Sequence, residues 1–210
     1  MTGHQPTVTA IQRQERRRRY NVFVDGRFAL ALSADVLAAA GLHEGDPLPP
    51  ERAWELERTE LRHRTLESAL RLLSYRPRSE GELRDRLRRK GLPADLVDET
   101  VAWLRERRYL DDGEFARFWT ESRHAYGVHR IRGELRRKGV DRETVQEALA
   151  AHDEVAAAAR AAERKARTIP ATDRQTFTAR LGGYLQRRGF SYAVSKAVVD
   201  RLWRERQGRA

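Results

Sequence analysis

A ten-residue pattern occurs three times in this chain and constrains its fold more than any other feature. Leu83-Arg-Asp-Arg-Leu87-Arg-Arg-Lys90-Gly91-Leu92 returns as Ile131-Arg-Gly-Glu134-Leu135-Arg-Arg-Lys138-Gly139-Val140, and again as Leu181-Gly-Gly-Tyr184-Leu185-Gln-Arg-Arg188-Gly189-Phe190. The glycines are 48 and then 50 residues apart, and Val101, Leu149 and Val199 each lie ten residues beyond them. An apolar pair at i, i+4 with a glycine four residues on describes a short amphipathic helix ended by a left-handed cap. A fixed period with matched apolar positions means tandem supersecondary units, in which each repeat buries its face against its own helices and its neighbours.

Each basic helix is flanked by two further helical patterns. Leu66–Leu73, Gly113–His124 and Val155–Arg167 precede the three copies; Pro93–Arg107, Asp141–Ala151 and Ser191–Arg206 follow them. The expected fold is therefore mainly α: three tandem three-helix, helix-turn-helix-like repeats at 63–111, 112–154 and 155–210, behind an N-terminal region at 1–62. That region carries the only strand signals. Val8–Ile11, Tyr20–Val24 and Phe28–Leu32 alternate or are β-branched, and Asp25-Gly26 between the last two marks a hairpin whose turn needs positive φ at both central residues. Ser33 can cap a helix beginning at Ala34, with Gly41 just after its end, and a separate helix from about Pro50 to His63 has proline in its first turn.

Charge is concentrated on these elements. The 210 residues carry a formal +11, and of the 42 basic residues only Lys90, Lys138, Lys165 and Lys196 are lysine. The segments 11–20, 82–90, 123–138 and 180–188 sum to +15, leaving −4 for the remainder, as a polyanion-binding surface requires. With the leucines of each repeat facing inward, Arg84, Arg88, Arg89 and Lys90, then Arg132, Arg136, Arg137 and Lys138, then Arg187 and Arg188 fall on open faces able to follow a phosphate backbone. The third copy is weaker, because Gly182-Gly183 and Gln186 replace charged positions. A bland reading stands beside this one: the same faces balanced by i, i+4 pairs Glu82–Arg86, Asp85–Arg89 and Glu134–Lys138. Arg16, Arg17, Arg18 and Arg19 are either a loop gripping phosphates or a charged strand edge that blocks aggregation.

Catalytic and cofactor chemistry find little here. Cysteine is absent, which removes disulfides, thiol chemistry and most structural zinc sites. Gly182-Gly183 lacks the Lys-Ser/Thr of a phosphate loop, and His124 and His129 are wrongly spaced for a metal pair. Asp111-Asp112 before Gly113 reads as a helix start whose carboxylates accept free N–H groups. The aromatic residues Trp54, Trp103, Tyr109, Phe115, Phe118, Trp119, Tyr184, Phe190 and Trp203 mostly fall at helical spacing with leucines and are expected in the core. No run approaches the roughly 18 apolar residues of a spanning helix, and the N-terminus lacks a signal-peptide core. The chain thus reads as a soluble, cytoplasmic non-enzyme, monomeric, with no cofactor.

The run Tyr109-Leu-Asp111-Asp112-Gly113-Glu-Phe115-Ala-Arg-Phe118-Trp119, with Ser122-Arg123 and the basic repeat at 131–140, closely resembles the RecX family. Ala69-Leu70-x-x-Leu73-x-x-Arg76-x-Arg78-Ser79-x-x-Glu82-Leu83 is also similar, and the likeness spans about 62–206, with an N-terminus like that of longer members. The resemblance implies an elongated, curved array of three-helix units that regulates the RecA recombinase. Such proteins lodge along the RecA–DNA filament, touch protein and single- or double-stranded DNA, and suppress ATPase, strand exchange and coprotease activity. The alternative class is a stand-alone helix-turn-helix-like DNA-binding protein.

Overall fold

The computed structural model describes residues 5–15, 18–170 and 173–207. Its contacts group the chain into two compact units, residues 1–76 with 84–103, and residues 77–83 with 104–210.

In the first unit, β1 (Val8–Arg13), β2 (Arg19–Val24) and β3 (Arg27–Ser33) form an antiparallel sheet in chain order. Asp25 and Gly26 turn the chain between β2 and β3 with φ of 49° and 77°, the left-handed pair that matches strand twist. Alternation along the strands puts Val8, Val22, Leu30 and Leu32 inside, where Val36, Leu42 and Leu48 close the core. Ser33 accepts the Val36 N–H and starts α1 (Ala34–Ala40), which ends at the left-handed Gly41.

The helices expected at Pro50–His63 and Leu66–Leu73 are one continuous element, α2 (Pro50–Tyr75). No glycine or proline interrupts residues 51–75, and the buried Thr65 folds its hydroxyl back onto the Leu61 carbonyl, so nothing breaks the ladder there. Pro77 ends it by forcing Arg76 into an extended conformation. The first repeat therefore takes the C-terminal half of α2 as its first helix, then α3 (Glu80–Arg88) and α4 (Ala94–Glu106).

The second unit holds α5 (Asp112–Glu121), α6 (Val128–Arg137) and α7 (Arg142–Ala150), then α8 (Glu154–Ala166), α9 (Arg174–Arg187) and α10 (Tyr192–Gln207). Each trio encloses its own core. Phe115, Ile131, Leu135, Val140, Val145 and Leu149 fill the first; Phe177, Leu181, Leu185, Phe190, Val198 and Val199 fill the second against the alanine face of α8. The repeat leucines are where the pattern puts them: Leu83, Leu87, Ile131, Leu135, Leu181 and Leu185 are all fully buried.

Each repeat glycine closes its helix in the same way. Gly91, Gly139 and Gly189 have φ of 75°, 80° and 83°. In the second copy the Gly139 N–H reaches Arg136 and the Val140 N–H reaches Leu135; the other two copies repeat both bonds, giving three identical left-handed caps.

Within the second unit, successive repeats are joined at these caps. Ser79 donates its hydroxyl to the Lys138 carbonyl, and the Glu80 N–H reaches the Asp112 carboxylate at 2.8 Å. One period later, the N–H groups of Gly127 and His129 donate to the carbonyls of Arg188 and Gly189, and the Val128 N–H points to Glu154. The start of one basic helix thus docks on the end of the next, and the following repeat supplies its capping carboxylate.

Candidate nucleic-acid interface

The basic residues singled out by the sequence divide by what the fold asks of them. Arg16 and Arg17 lie outside the described residues, and Arg18 is exposed. Arg19 is committed to the first unit: its guanidinium donates to the Ala31 carbonyl at 2.7 Å and lies 3.1 Å from the buried Glu60, which also accepts the Ser33 N–H.

Arg84 and Arg88, one turn apart on α3, converge on one carboxylate. Arg84 Nε lies 3.1 Å and Arg88 Nη2 3.2 Å from the two oxygens of Asp98 on α4. Arg89 donates to the Asp85 backbone carbonyl, not to its carboxylate, and Lys90 is exposed.

On α6 the arrangement differs. Arg132, Arg136 and Arg137 are exposed, and their side chains have neither ion pair nor hydrogen bond among the described residues. Arg132 and Arg136 line a groove with Arg142, Val145 and Gln146 of α7. The expected Glu134–Lys138 pair does not form. Glu134 is already filled by three donors, Trp119 Nε1, Arg123 Nε and Arg130 Nε, each at 3.0 Å. Burial raises the Glu134 carboxyl, but the hydrogen bonds from Arg130, Arg123 and Trp119 outweigh it and hold the group below the ordinary carboxylate range. Lys138 instead reaches Glu82 at 3.2 Å with its ammonium 4.2 Å above the Trp119 ring.

The third repeat treats its last cation similarly. Arg188 donates to the Ala125 carbonyl at 3.1 Å and sits between the rings of Tyr126 and Tyr184, whereas Arg187 is exposed without a partner among the described residues. Lys138 and Arg188 therefore serve the joints between repeats, while Arg132, Arg136, Arg137 and Arg187 remain open to solvent. The expected aromatic core is only partly realised. Phe115 and Phe190 are buried and Trp119, Tyr184 and Trp203 half-buried, but Trp54, Trp103, Tyr109 and Phe118 are exposed. Asp111 caps α5 by accepting the Glu114 N–H, and its neighbour Asp112 is the one that receives Glu80. Among the described residues no cluster of His, Asp and Glu is placed to hold a metal ion, and no helix is long and apolar enough to cross a membrane.

A three-stranded sheet leading into three-helix repeats, with arginine faces on the middle helices, defines the class: a tandem helical-repeat protein with a cationic surface. Family models match the chain in that order, the RecX N-terminal domain at residues 6–48 and the first, second and third RecX three-helix domains at 66–104, 111–149 and 152–199. The regulatory protein RecX of Bacillus subtilis (strain 168) is 30% identical over 204 residues, covering 94% of this chain and 77% of that protein. That of Clostridium botulinum (strain Eklund 17B / Type B) is 27% identical over 199 residues, covering 91% and 94%. A crystal structure of regulatory protein RecX shares the fold, with a TM-score of 0.66 at 24% identity over 93% of this chain and 99% of that one. The chain belongs to the RecX family, a family of regulatory proteins.

Proposed function

We propose that this chain regulates homologous recombination by binding the RecA–DNA filament and lowering its ATPase, strand-exchange and coprotease output. It does so as a cytoplasmic monomer that performs no chemistry of its own. The observation that carries the reading is the open arginine face of α6, in a chain that follows the RecX family along its length. A nucleoprotein filament presents phosphate beside protein. Guanidinium groups left without partners by the fold supply sequence-independent affinity for the phosphate component.

The test is the single-stranded-DNA-dependent ATPase of the host RecA, followed as this protein is titrated in at near-physiological salt. Inhibition at well below one copy per recombinase, not relieved by added DNA, is expected. Inhibition that added DNA abolishes would mean plain competition for the polyanion, and the stand-alone DNA-binding reading would replace this one.

A further inference from the structure

The cap glycines place the three repeats in a common frame. Seven residues before them stand Arg84, Arg132 and Gly182; three before, Arg88, Arg136 and Gln186; seven after, Asp98, Gln146 and Lys196. In the first repeat both arginines are held by Asp98. In the second the same two arginines stand opposite Gln146, the carboxylate is gone, and Arg142 is added to the groove they line. The third repeat keeps neither arginine.

Two like charges at i, i+4 repel, and a third guanidinium beside them raises that cost, so the fold gives up stability to keep this group together. No residue lining the groove is acidic; Glu143 and Glu147 line a neighbouring depression that shares Arg142 and Gln146 with it. An anion bound in the groove would remove the repulsion. The planar forks of arginine suit the paired oxygens of a phosphate, and the amide of Gln146 adds a neutral donor. Val145 is the only apolar side chain in the lining, too little for a packed protein contact, which favours a nucleic-acid backbone over an acidic protein surface.

We infer that the second repeat carries a phosphodiester-binding cradle built from Arg132, Arg136, Arg142 and Gln146, and that the residue seven positions after the cap glycine decides whether a repeat grips nucleic acid. The inference rests on the basic-face reading above and assigns it to one repeat. The first repeat has the same two arginines in a self-neutralised form.

The experiment measures binding of a fluorescent oligothymidylate by the full chain, without recombinase, across a salt series for wild type, Gln146→Asp and Asp98→Gln. Both positions are exposed, so folding is retained, and thermal midpoints check it. Gln146→Asp rebuilds the first repeat's clamp. It should lower the slope of log affinity against log salt by about 1.4, the loss of two single-strand phosphate contacts. Asp98→Gln releases Arg88 and should steepen the slope by about 0.7, the gain of one single-strand contact, and tighten binding at low salt.

Unchanged slopes in both variants overturn the cradle. So does displacement of the oligonucleotide by inorganic phosphate beyond its effect as salt, which would make this a site for free phosphate. Weakened binding to DNA-free recombinase in Gln146→Asp, with oligonucleotide binding intact, would assign the groove to a protein contact and overturn it too. The ATPase assay fails or succeeds separately: shifted slopes without ATPase inhibition would keep the cradle and remove the regulator.

Discussion

Three glycine-to-alanine substitutions separate the two physical reasons a glycine is needed in the repeat. At Gly91 φ is +75° and a Cβ would meet nothing within 4 Å, so alanine there suffers only the left-handed strain of about 1–2 kcal/mol. Gly127 has an ordinary backbone, φ −81° and ψ 160°, but its Cβ would lie 2.2 Å from the carbonyl of Gly189 and from the Phe190 nitrogen. That is backbone against backbone with no flexible side chain to move. The overpacking cost of about 1–3 kcal/mol is joined by roughly 1 kcal/mol for the strained Gly127–Arg188 hydrogen bond. Gly189 combines both, with φ +83° and a Cβ 2.5 Å from the Arg130 nitrogen and Cβ, for a total of about 2–5 kcal/mol. In a chain of this length each kcal/mol lowers the melting midpoint by about 2–4 °C. Thermal unfolding followed by circular dichroism should therefore show a drop of roughly 2–8 °C for Gly91→Ala and a larger one for Gly189→Ala. Gly127→Ala should also fall clearly below wild type. The double variant at Gly127 and Gly189 should cost less than the sum, because both methyl groups open the same gap. Removing a glycine from an unstrained position ordinarily stabilises by limiting the unfolded chain. A Gly127→Ala protein as stable as wild type would refute the close joint between repeats.

Lys90 and Lys138 occupy equivalent repeat positions, yet Lys138→Ala should cost about 1–3 kcal/mol by urea denaturation while Lys90→Ala stays within about 0.5 kcal/mol; equal effects would deny Lys138 its place between Glu82 and Trp119. Glu60→Ala leaves the Arg19 guanidinium without its buried counter-charge and the Ser33 N–H without its acceptor, and should cost about 3 kcal/mol, as breaking a buried pair does; a loss below about 1 kcal/mol would contradict that role. The Glu134 carboxyl titrates below its unfolded value of about 4.3, so its stabilisation is complete above that pH and fades as pH falls through the folded value. The gap in urea midpoint between wild type and Glu134→Gln should accordingly shrink below about pH 4, whereas a gap constant from pH 7 to 3 would show that the carboxylate is not held by its three donors.

What the sequence makes legible is what the chain decides locally. The Asp25-Gly26 turn, the Ser33 cap and the three cap glycines each follow from one or two residues and their backbone needs. The expected break inside α2 is different: the period of the repeat suggests a fresh start near Leu66, but no breaker stands there and the helix runs on. The role of Lys138 was hidden for a different reason. It shares its residue type and repeat position with Lys90, and only contacts across 56 residues of chain distinguish a cation held by Glu82 from one facing water. The exposed Trp54 and Phe118 follow a helical spacing that cannot say which flank of an apolar stripe remains uncovered. The contrast between Asp98 and Gln146 was present in the aligned repeats all along. Only the contact of both first-repeat arginines with the one carboxylate gives it meaning.

The capping of α3 by Asp112 and of α6 by Glu154 gives the array a direction in time. A ribosome releases about 5–20 residues per second, so the carboxylate that completes each of these helices emerges some seconds after the helix itself. The separations are 32 and 26 residues. During synthesis every repeat but the last is thus a provisional structure, finished by its successor. The third breaks the sequence: α9 opens on its own Asp173, which accepts the Thr176 N–H, and needs no further repeat to complete it. A nascent chain stalled before the second repeat would leave Glu80 without its cap. One stalled after the third would leave no basic helix waiting.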